Sequence, residues 1–197
     1  MKIISINVAT VSNLFVTEAG EAPRRVPTAF DKKPAAAAVR VSRLGLTGDE
    51  QADRAANGGI NKAVYAYPSE HYAFWSAQRL AALKRDMPLS PGAMGENLTI
   101  TGLLEDAVWV GDQLLIGDAV FEVTEPRVPC FKFNVRMGFS HASKAMMQSG
   151  ATGFFLRVLK TGTISAGDAI TLHAGPRRQT IRQLHEQRCN VTQLDLF

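Results

Sequence analysis

The segment TEPRVPCFKFN, Thr124 to Asn134, carries Cys130, one of two cysteines in the 197-residue chain. In sequence the thiol lies between Arg127 and Lys132, and Pro126 and Pro129 restrict the backbone around it. Nearby cations favour the thiolate, the form that acts as nucleophile or soft metal ligand. A free cysteine is more often a small buried hydrophobe. The segment alone therefore leaves four readings open: filler, metal thiolate, persulfide carrier and nucleophile. Nucleophilic catalysis fits least. It needs a positioned base, and none of His71, His141, His173 and His185 lies in a motif that announces one.

Two further segments gather polar chemistry. GDEQADRAANGGINKAVYAY, starting at Gly48, brings Asp49, Glu50, Asp53, Arg54 and Lys62 near the Gly58–Gly59 pair. Glycines let backbone N–H groups approach an anion closely, and Lys62 stands at the mouth of a strand, within reach of a phosphate. A solvated loop of charges has the same composition and is the commoner case. The spacing is neither GxxxxGK[ST] nor the GxGxxG of dinucleotide sites. GAMGENLTITGL, residues 92–103, is a glycine-rich turn that offers Glu96 and Asn97 to a polar ligand. An ordinary loop in which Asn97 holds a turn reads equally well.

These residues must be carried by a β-rich scaffold. IISINV (3–8) and AVRVSRL (38–44) read as strands from their β-branched content and alternation. The proline-containing stretch 12–36 reads as a long loop with strand fragments near Thr28 to Phe30. AVYAY (63–67) is a strand, and a helix follows Pro68 and Ser69. Tyr72, Trp75, Leu80 and Leu83 share one apolar face of it. From Asn97 onward NLTI, AVWV, QLLI, AVFEVTE and later FFLRVLK and AITL are short runs split by Gly-Asp turns, a barrel or sandwich signature. A helix is expected over 140–149, with Ser140 as cap and Gly150 as stop. Weak helical character returns from Gln179 to Cys189.

Length suits one domain with a short appendage at most, with no disulfide or structural metal required. The composition, 46% hydrophobic and 20% charged, is that of a globule. The N-terminus lacks a signal-peptide pattern, and no apolar run approaches the ~18 residues that span a bilayer. A reducing cytoplasm is the expected setting, where a free thiol persists. The sequence pI of 9.3 invites a nucleic-acid reading. Residues 177–188, with four arginines and one glutamate, account for +3 of the overall +4. The basicity belongs largely to the tail, so no nucleic-acid footprint on the body is expected, a local anion pocket stays open, and without a spanning run no membrane partner is expected.

Taken in order, these segments resemble the MOSC domain family, the domain shared with molybdenum cofactor sulfurases, and in particular its small bacterial YiiM-like branch. The matching stretches are LGLTGDEQADRAANGGINKAVYAYPSEHYAFW, MGENLTITGL, VGDQLLIGDAVFEVTEPRVPCFKFN and GFFLRVLKTGTISAGDAITL; TAFDKKP near residue 30 also fits. The resemblance implies a mainly β fold with a few helices. A MOSC-type β-barrel domain would cover 1–175, and a short C-terminal helix would lie in a tail over 176–197, the remnant of a three-helix module.

The resemblance also implies a pocket for molybdenum cofactor (molybdopterin), with its metal ligated by one thiol at the position of Cys130. Relatives reduce N-hydroxylated compounds such as hydroxylaminopurine and amidoximes, and pyridoxal phosphate is associated with the domain only in general. Lys62, Arg54, Arg127 and Lys132 are then candidates for the cofactor phosphate, with Gly58, Gly59 and Lys32. Asn97 and Asn134 are candidates for the pterin edge. Glu96 and Asp53 are candidates, beside Cys130, for catalysis as the acid that delivers protons. Asn57 departs from the family, which usually has histidine before the glycine pair. No ferredoxin-like cysteine set is present, so a separate electron-donor protein is expected, and a homodimer follows from resemblance. The rival is a sulfur carrier holding a Cys130 persulfide for delivery to a metal centre; a third reading is a storage or anion-binding module.

Overall fold

The structure is a computed structural model that describes residues 1–16, 22–52 and 58–194. The elements run Lys2–Val8 (β1), Ser12–Val16 (β2), Arg24–Thr28 (β3), Lys33–Pro34 (β4), Val39–Ser42 (β5), Gly45–Leu46 (β6), Val64–Pro68 (β7), Tyr72–Leu83 (α1) and Leu98–Thr101 (β8). They continue with Gln113–Ile116 (β9), Ala119–Pro126 (β10), Phe131–Met137 (α2), Ala142–Ser149 (α3), Phe154–Lys160 (β11), Gly162–Ile164 (β12), Ile170–His173 (β13) and Ile181–Leu194 (α4).

Eight strands form the main sheet in the order β13-β9-β10-β11-β7-β8-β1-β4, and smaller sheets join β12-β5-β6 and β2-β3. The expected mainly β fold is present. Its ladder is not a continuously closed barrel. The segment entering β13 instead reaches the start of β1: Ile3 N–H donates to Asp168 O at 2.9 Å, Gly167 N–H to Ile3 O at 2.9 Å and Ile170 N–H to Met1 O at 3.0 Å. Three backbone bonds thus join the two sides of the sheet where strand pairing stops.

Period-two alternation explains the core. Val64 and Ala66 of β7, with Phe154 and Leu156 of β11, enter an aliphatic cluster with Ile3, Ile6, Leu98 and Phe121. Their neighbours Tyr65, Tyr67 and Phe155 point the other way, into a second cluster with Trp75, Phe133, Met137 and Met146 from the helices. All five residues of β7 are therefore buried, as in a strand covered on both faces.

Several expectations need correction. Residues 12–16 and 24–28 pair as the β2–β3 ribbon in place of the expected long loop, with Asn13 opposite Pro27; Pro27 fits because a two-stranded ribbon is all edge. AVWV is not a strand, and its one ladder contact is an isolated bridge from Trp109 to Thr180. The proline-rich segment at Cys130 leads straight into α2, whose buried Phe133 and Met137 are four residues apart and whose stop is Gly138 in the left-handed region. In α1 the buried positions are Trp75 and Arg79, whereas Leu80 is 49% exposed. A charged residue occupies the inner face because Arg79 donates to the carbonyls of Met137 at 3.3 Å and Met87 at 3.0 Å. Residue 141, not Ser140, precedes α3, and no side chain caps it.

The tail is more firmly built than its sequence suggests. Thr180 and Gln183 form a reciprocal capping box: Gln183 N–H donates to Thr180 Oγ1 at 3.1 Å and Thr180 N–H to Gln183 Oε1 at 3.0 Å. The first amides of α4 also donate to carbonyls of the sheet domain, Ile181 to Val108 and Arg182 to Glu105, each at 2.9 Å. Ile181 is wholly buried within the aliphatic cluster. Among the described residues no helix is long and apolar enough to cross a membrane. Because α4 closes the aliphatic cluster, Ile181→Ala should lower unfolding free energy by about 3 kcal/mol. A urea titration followed by far-UV circular dichroism measures this; an unchanged midpoint would mean that the tail is independent of the domain.

Candidate functional site

A cavity of about 110 Å³ opens where β3, β7, β8 and the end of β10 converge, and Lys32, Asp49, Asn97, Arg127, Cys130 and Lys132 share its wall. Asn97 ties these elements together. Its Nδ2 donates to Asp49 Oδ2 at 2.8 Å and to Asn7 O at 3.3 Å, and its Oδ1 accepts from Tyr65 N–H at 3.0 Å. Asp49 accepts from Ala9 N–H at 2.9 Å and is in direct ion contact with the Lys32 ammonium. Both charged side chains are only 7% exposed. Burial pulls the Lys32 ammonium below the usual lysine range; Asp49 opposes that, while the positive charge of Arg127 adds to it.

Close backbone packing holds Lys32 in place. Gly92 has φ +88°, and a Cβ there would lie 2.5 Å from the Lys32 carbonyl oxygen. Only glycine allows both the conformation and the approach. Arg127 is fixed by aromatic faces, 4.7 Å from the ring centre of Tyr65, 4.8 Å from Phe30 and 5.7 Å from Phe133. Such stacking favours guanidinium over ammonium. Its Nη1 also donates to Met94 O. Burial raises the Tyr65 phenol above its ordinary range, and its hydroxyl donates to Thr152 O at 2.6 Å.

Cys130 is a half-buried free thiol immediately before α2. Its carbonyl accepts from Phe133 N–H at 2.9 Å and from Ser143 Oγ at 3.0 Å, so α2 and α3 both anchor it. Lys132 follows from the first turn of α2 and donates to Pro27 O at 2.8 Å, closing the cavity rim against β3.

Five expected residues therefore meet here: Cys130, Arg127, Lys132, Lys32 and Asn97. Others lie elsewhere. Glu96 is fully buried behind the wall, where its carboxylate accepts from Gly92 N–H at 2.8 Å, Met94 N–H at 3.0 Å, Thr99 Oγ1 at 2.7 Å and the Tyr72 hydroxyl. It holds the 92–99 turn and does not face the cavity. Asn134 points toward α3, where its Oδ1 accepts from Ser143 N–H at 2.7 Å. Lys62 lies 3.7 Å from Glu125 and 5.7 Å from the ring centre of Phe155, outside the cavity wall. Gly59 donates to Gln51 Oε1 at 2.8 Å, and neither it nor Gly58 lines the cavity. Asp53, Arg54 and Asn57 lie outside the described residues.

Residues 53–171, more than half of the chain, match the model of the MOSC domain. The chain belongs to the MOSC domain family. Over 149 residues it is 42% identical to the uncharacterized protein YflK of Bacillus subtilis, covering 76% of this chain and 65% of YflK. Over 150 residues it is 35% identical to protein YiiM of Escherichia coli, covering 76% of this chain and 66% of YiiM. The chain thus spans just under two thirds of the length of these two relatives. It is 40% identical over 144 residues to a Gibberella moniliformis protein named a reductase, of which it spans 24%. The crystal structure of YiiM from Geobacillus stearothermophilus superposes with a TM-score of 0.74 at 34% identity, over 95% of this chain and 83% of that one.

Within this MOSC domain, sequence reasoning passed over Asp49 as one charge in a loop of many and gave Phe30, Tyr65 and Phe155 no role in the site. Asp49 follows Gly48, whose φ is +86°; a glycine fixing a turn just before a carboxylate was the available signal. The four donors around Glu96 require a carboxylate. Glu96→Gln would set an amide N–H₂ against them and should destabilise the protein by about 2 kcal/mol. Differential scanning calorimetry reads this as a lowered melting temperature.

Proposed function

We propose that this MOSC protein reduces N-hydroxylated compounds, converting N–OH to N–H with release of water, by means of a molybdenum cofactor whose metal Cys130 ligates. What supports the reading most is that Cys130 shares one small cavity with Arg127, Lys132 and Lys32. The donor set suits the cofactor. A thiolate is a soft ligand, and Arg127 and Lys132 suit an anionic phosphate. Among the described residues no cluster of three or more His, Cys, Asp or Glu could hold a metal ion, so a metal at Cys130 would take its other ligands from outside these side chains, a part a pterin dithiolene can fill. At about 110 Å³ the enclosed space is below the roughly 300 Å³ usual for organic ligands, and a pterin would extend into the mouth. Asn97 does not serve the pterin edge, because its amide is already committed to Asp49, Asn7 and Tyr65.

When bound, the cofactor supplies the two-electron redox chemistry. The chain holds the metal through Cys130, neutralises the phosphate with cations and keeps the aromatic wall of Phe30, Tyr65 and Phe155 against solvent. The reaction takes up two electrons and two protons. The two cysteines of this chain are too few for an iron–sulfur cluster, which supports an electron donor outside this domain. The fungal relative, of which this chain spans 24%, is named a reductase, which supports reduction as the reaction class. The proposed setting is the cytoplasm and, from the resemblance to the family alone, the proposed assembly is a homodimer.

Protein purified from a host that makes molybdenum cofactor should contain one molybdenum per chain by inductively coupled plasma mass spectrometry. It should reduce hydroxylaminopurine with reduced methyl viologen as electron source, and Cys130→Ala should lose metal and activity together. A Cys130→Ala protein with full activity overturns the mechanism. Sulfane sulfur on Cys130 without molybdenum would make the protein a sulfur carrier instead.

A further inference from the structure

Reductive cleavage of an N–O bond, R–NHOH + 2 e⁻ + 2 H⁺ → R–NH₂ + H₂O, needs an acid where the oxygen departs. Neither acid expected from sequence fills that place: Glu96 accepts four hydrogen bonds behind the wall, and Asp53 lies outside the described residues. Among the described residues, no histidine lines the cavity. Arg127 does line it, but a guanidinium keeps its proton. The Tyr65 hydroxyl is turned to Thr152 O. Glu50 is exposed at the rim and accepts from Val11 N–H. Lys132 is engaged with Pro27 O at the rim. Asp49 only accepts, from Lys32, Ala9 and Asn97.

The Thr28 hydroxyl also lines the cavity but is too weak an acid, and Cys130 is taken by the metal; among the described residues the buried acid that remains in the wall is Lys32 Nζ. We infer that Lys32 is the proton donor to the departing oxygen, and that Asp49 is the positioning residue that holds its ammonium in the cavity wall. The inference rests on the reductase reading and goes beyond it by naming the acid. As the N–O bond breaks, the proton moves from Nζ to the oxygen, which leaves as water. Nitrogen takes the second proton from solvent, the redox partner supplies the two electrons, and neutral Lys32 regains its proton through the cavity mouth. The charges that face Lys32 are Asp49 from the turn after β6, Arg127 from the end of β10 and Glu96 from the turn before β8; Glu50, Lys132 and Cys130 share the same wall. Burial weakens the ammonium's hold on its proton, which brings a lysine toward the acidity useful near neutral pH.

The decisive variant is Lys32→Arg, which keeps the positive charge and the donors but does not release a proton in the working range. In molybdenum-loaded protein it should keep the wild-type metal content while turnover of hydroxylaminopurine falls about 10²–10⁴-fold. Wild-type turnover should decline as pH rises through the Lys32 pKa, and this alkaline limb should be missing from K32R. Asp49→Asn removes the interaction that opposes burial, so its limb should move to lower pH. Lys32→Ala should recover turnover on addition of ethylammonium. Wild-type turnover and pH profile in K32R would overturn the inference and leave the reductase reading standing. Loss of molybdenum from K32R would also overturn it, by assigning Lys32 to cofactor retention. Inactive wild-type protein with a full complement of molybdenum would instead sink the reductase reading, and the inference with it.

Discussion

The Lys32–Asp49 ion pair is the constraint around which this domain is arranged. Removing two charges from water is expensive, and the attraction between them offsets the loss only when the remaining polar capacity is filled. Asn97 and the Ala9 amide fill it on the Asp49 side. Asn97 can do so only because its own backbone is paired with β7 and β1: its N–H donates to Tyr65 O at 2.8 Å and its carbonyl accepts from Asn7 N–H at 2.6 Å. Asn7 in turn reaches Thr99 Oγ1 at 3.0 Å. The charge pair, the parallel β7–β8 step and the start of the sheet are therefore one connected polar network under the cavity floor.

That network also explains the two-sided burial of β7. One face of the strand joins the aliphatic interior; the other carries Tyr65 and Tyr67 into the aromatic layer under α1 and α2. Tyr67 accepts from Trp75 Nε1 and donates to Ala151 O at 3.0 Å. The aromatic layer thus carries its own hydrogen bonds rather than leaving buried hydroxyls unpaired. Arg127 lies on its edge, where rings replace water around the guanidinium.

Much of this was legible in sequence because it is local. β1, β7, β8, β9, β10 and β11 follow from alternation and Gly-Asp turns, and Cys130, Arg127 and Lys132 are neighbours in one segment. What stayed hidden depends on distant partners. Arg79 reads as a surface residue until the carbonyl of Met137 is placed beside it. Glu96 reads as a free acid until the turn around it supplies four donors. Asp49 and Lys32, 17 residues apart, carry no spacing rule that would pair them. The proline-rich approach to Cys130 masked α2, although Phe133, Met137 and Gly138 mark its inner face and its end. The β2–β3 ribbon, with Phe15 60% exposed, buries too little to leave a clean pattern.

Cys130 occupies the N-cap of α2, with φ −121° and ψ 175° and no side-chain cap hydrogen bond. A serine, threonine, asparagine or aspartate in that conformation binds a free amide of the first turn, and replacing such a cap typically loses about 1 kcal/mol. Sulfur is a weak acceptor and does not substitute for it. One of those four side chains at position 130 would stabilise the start of α2 by about that amount. Sulfur at position 130 therefore leaves the start of α2 uncapped and holds the protein below its own stability optimum.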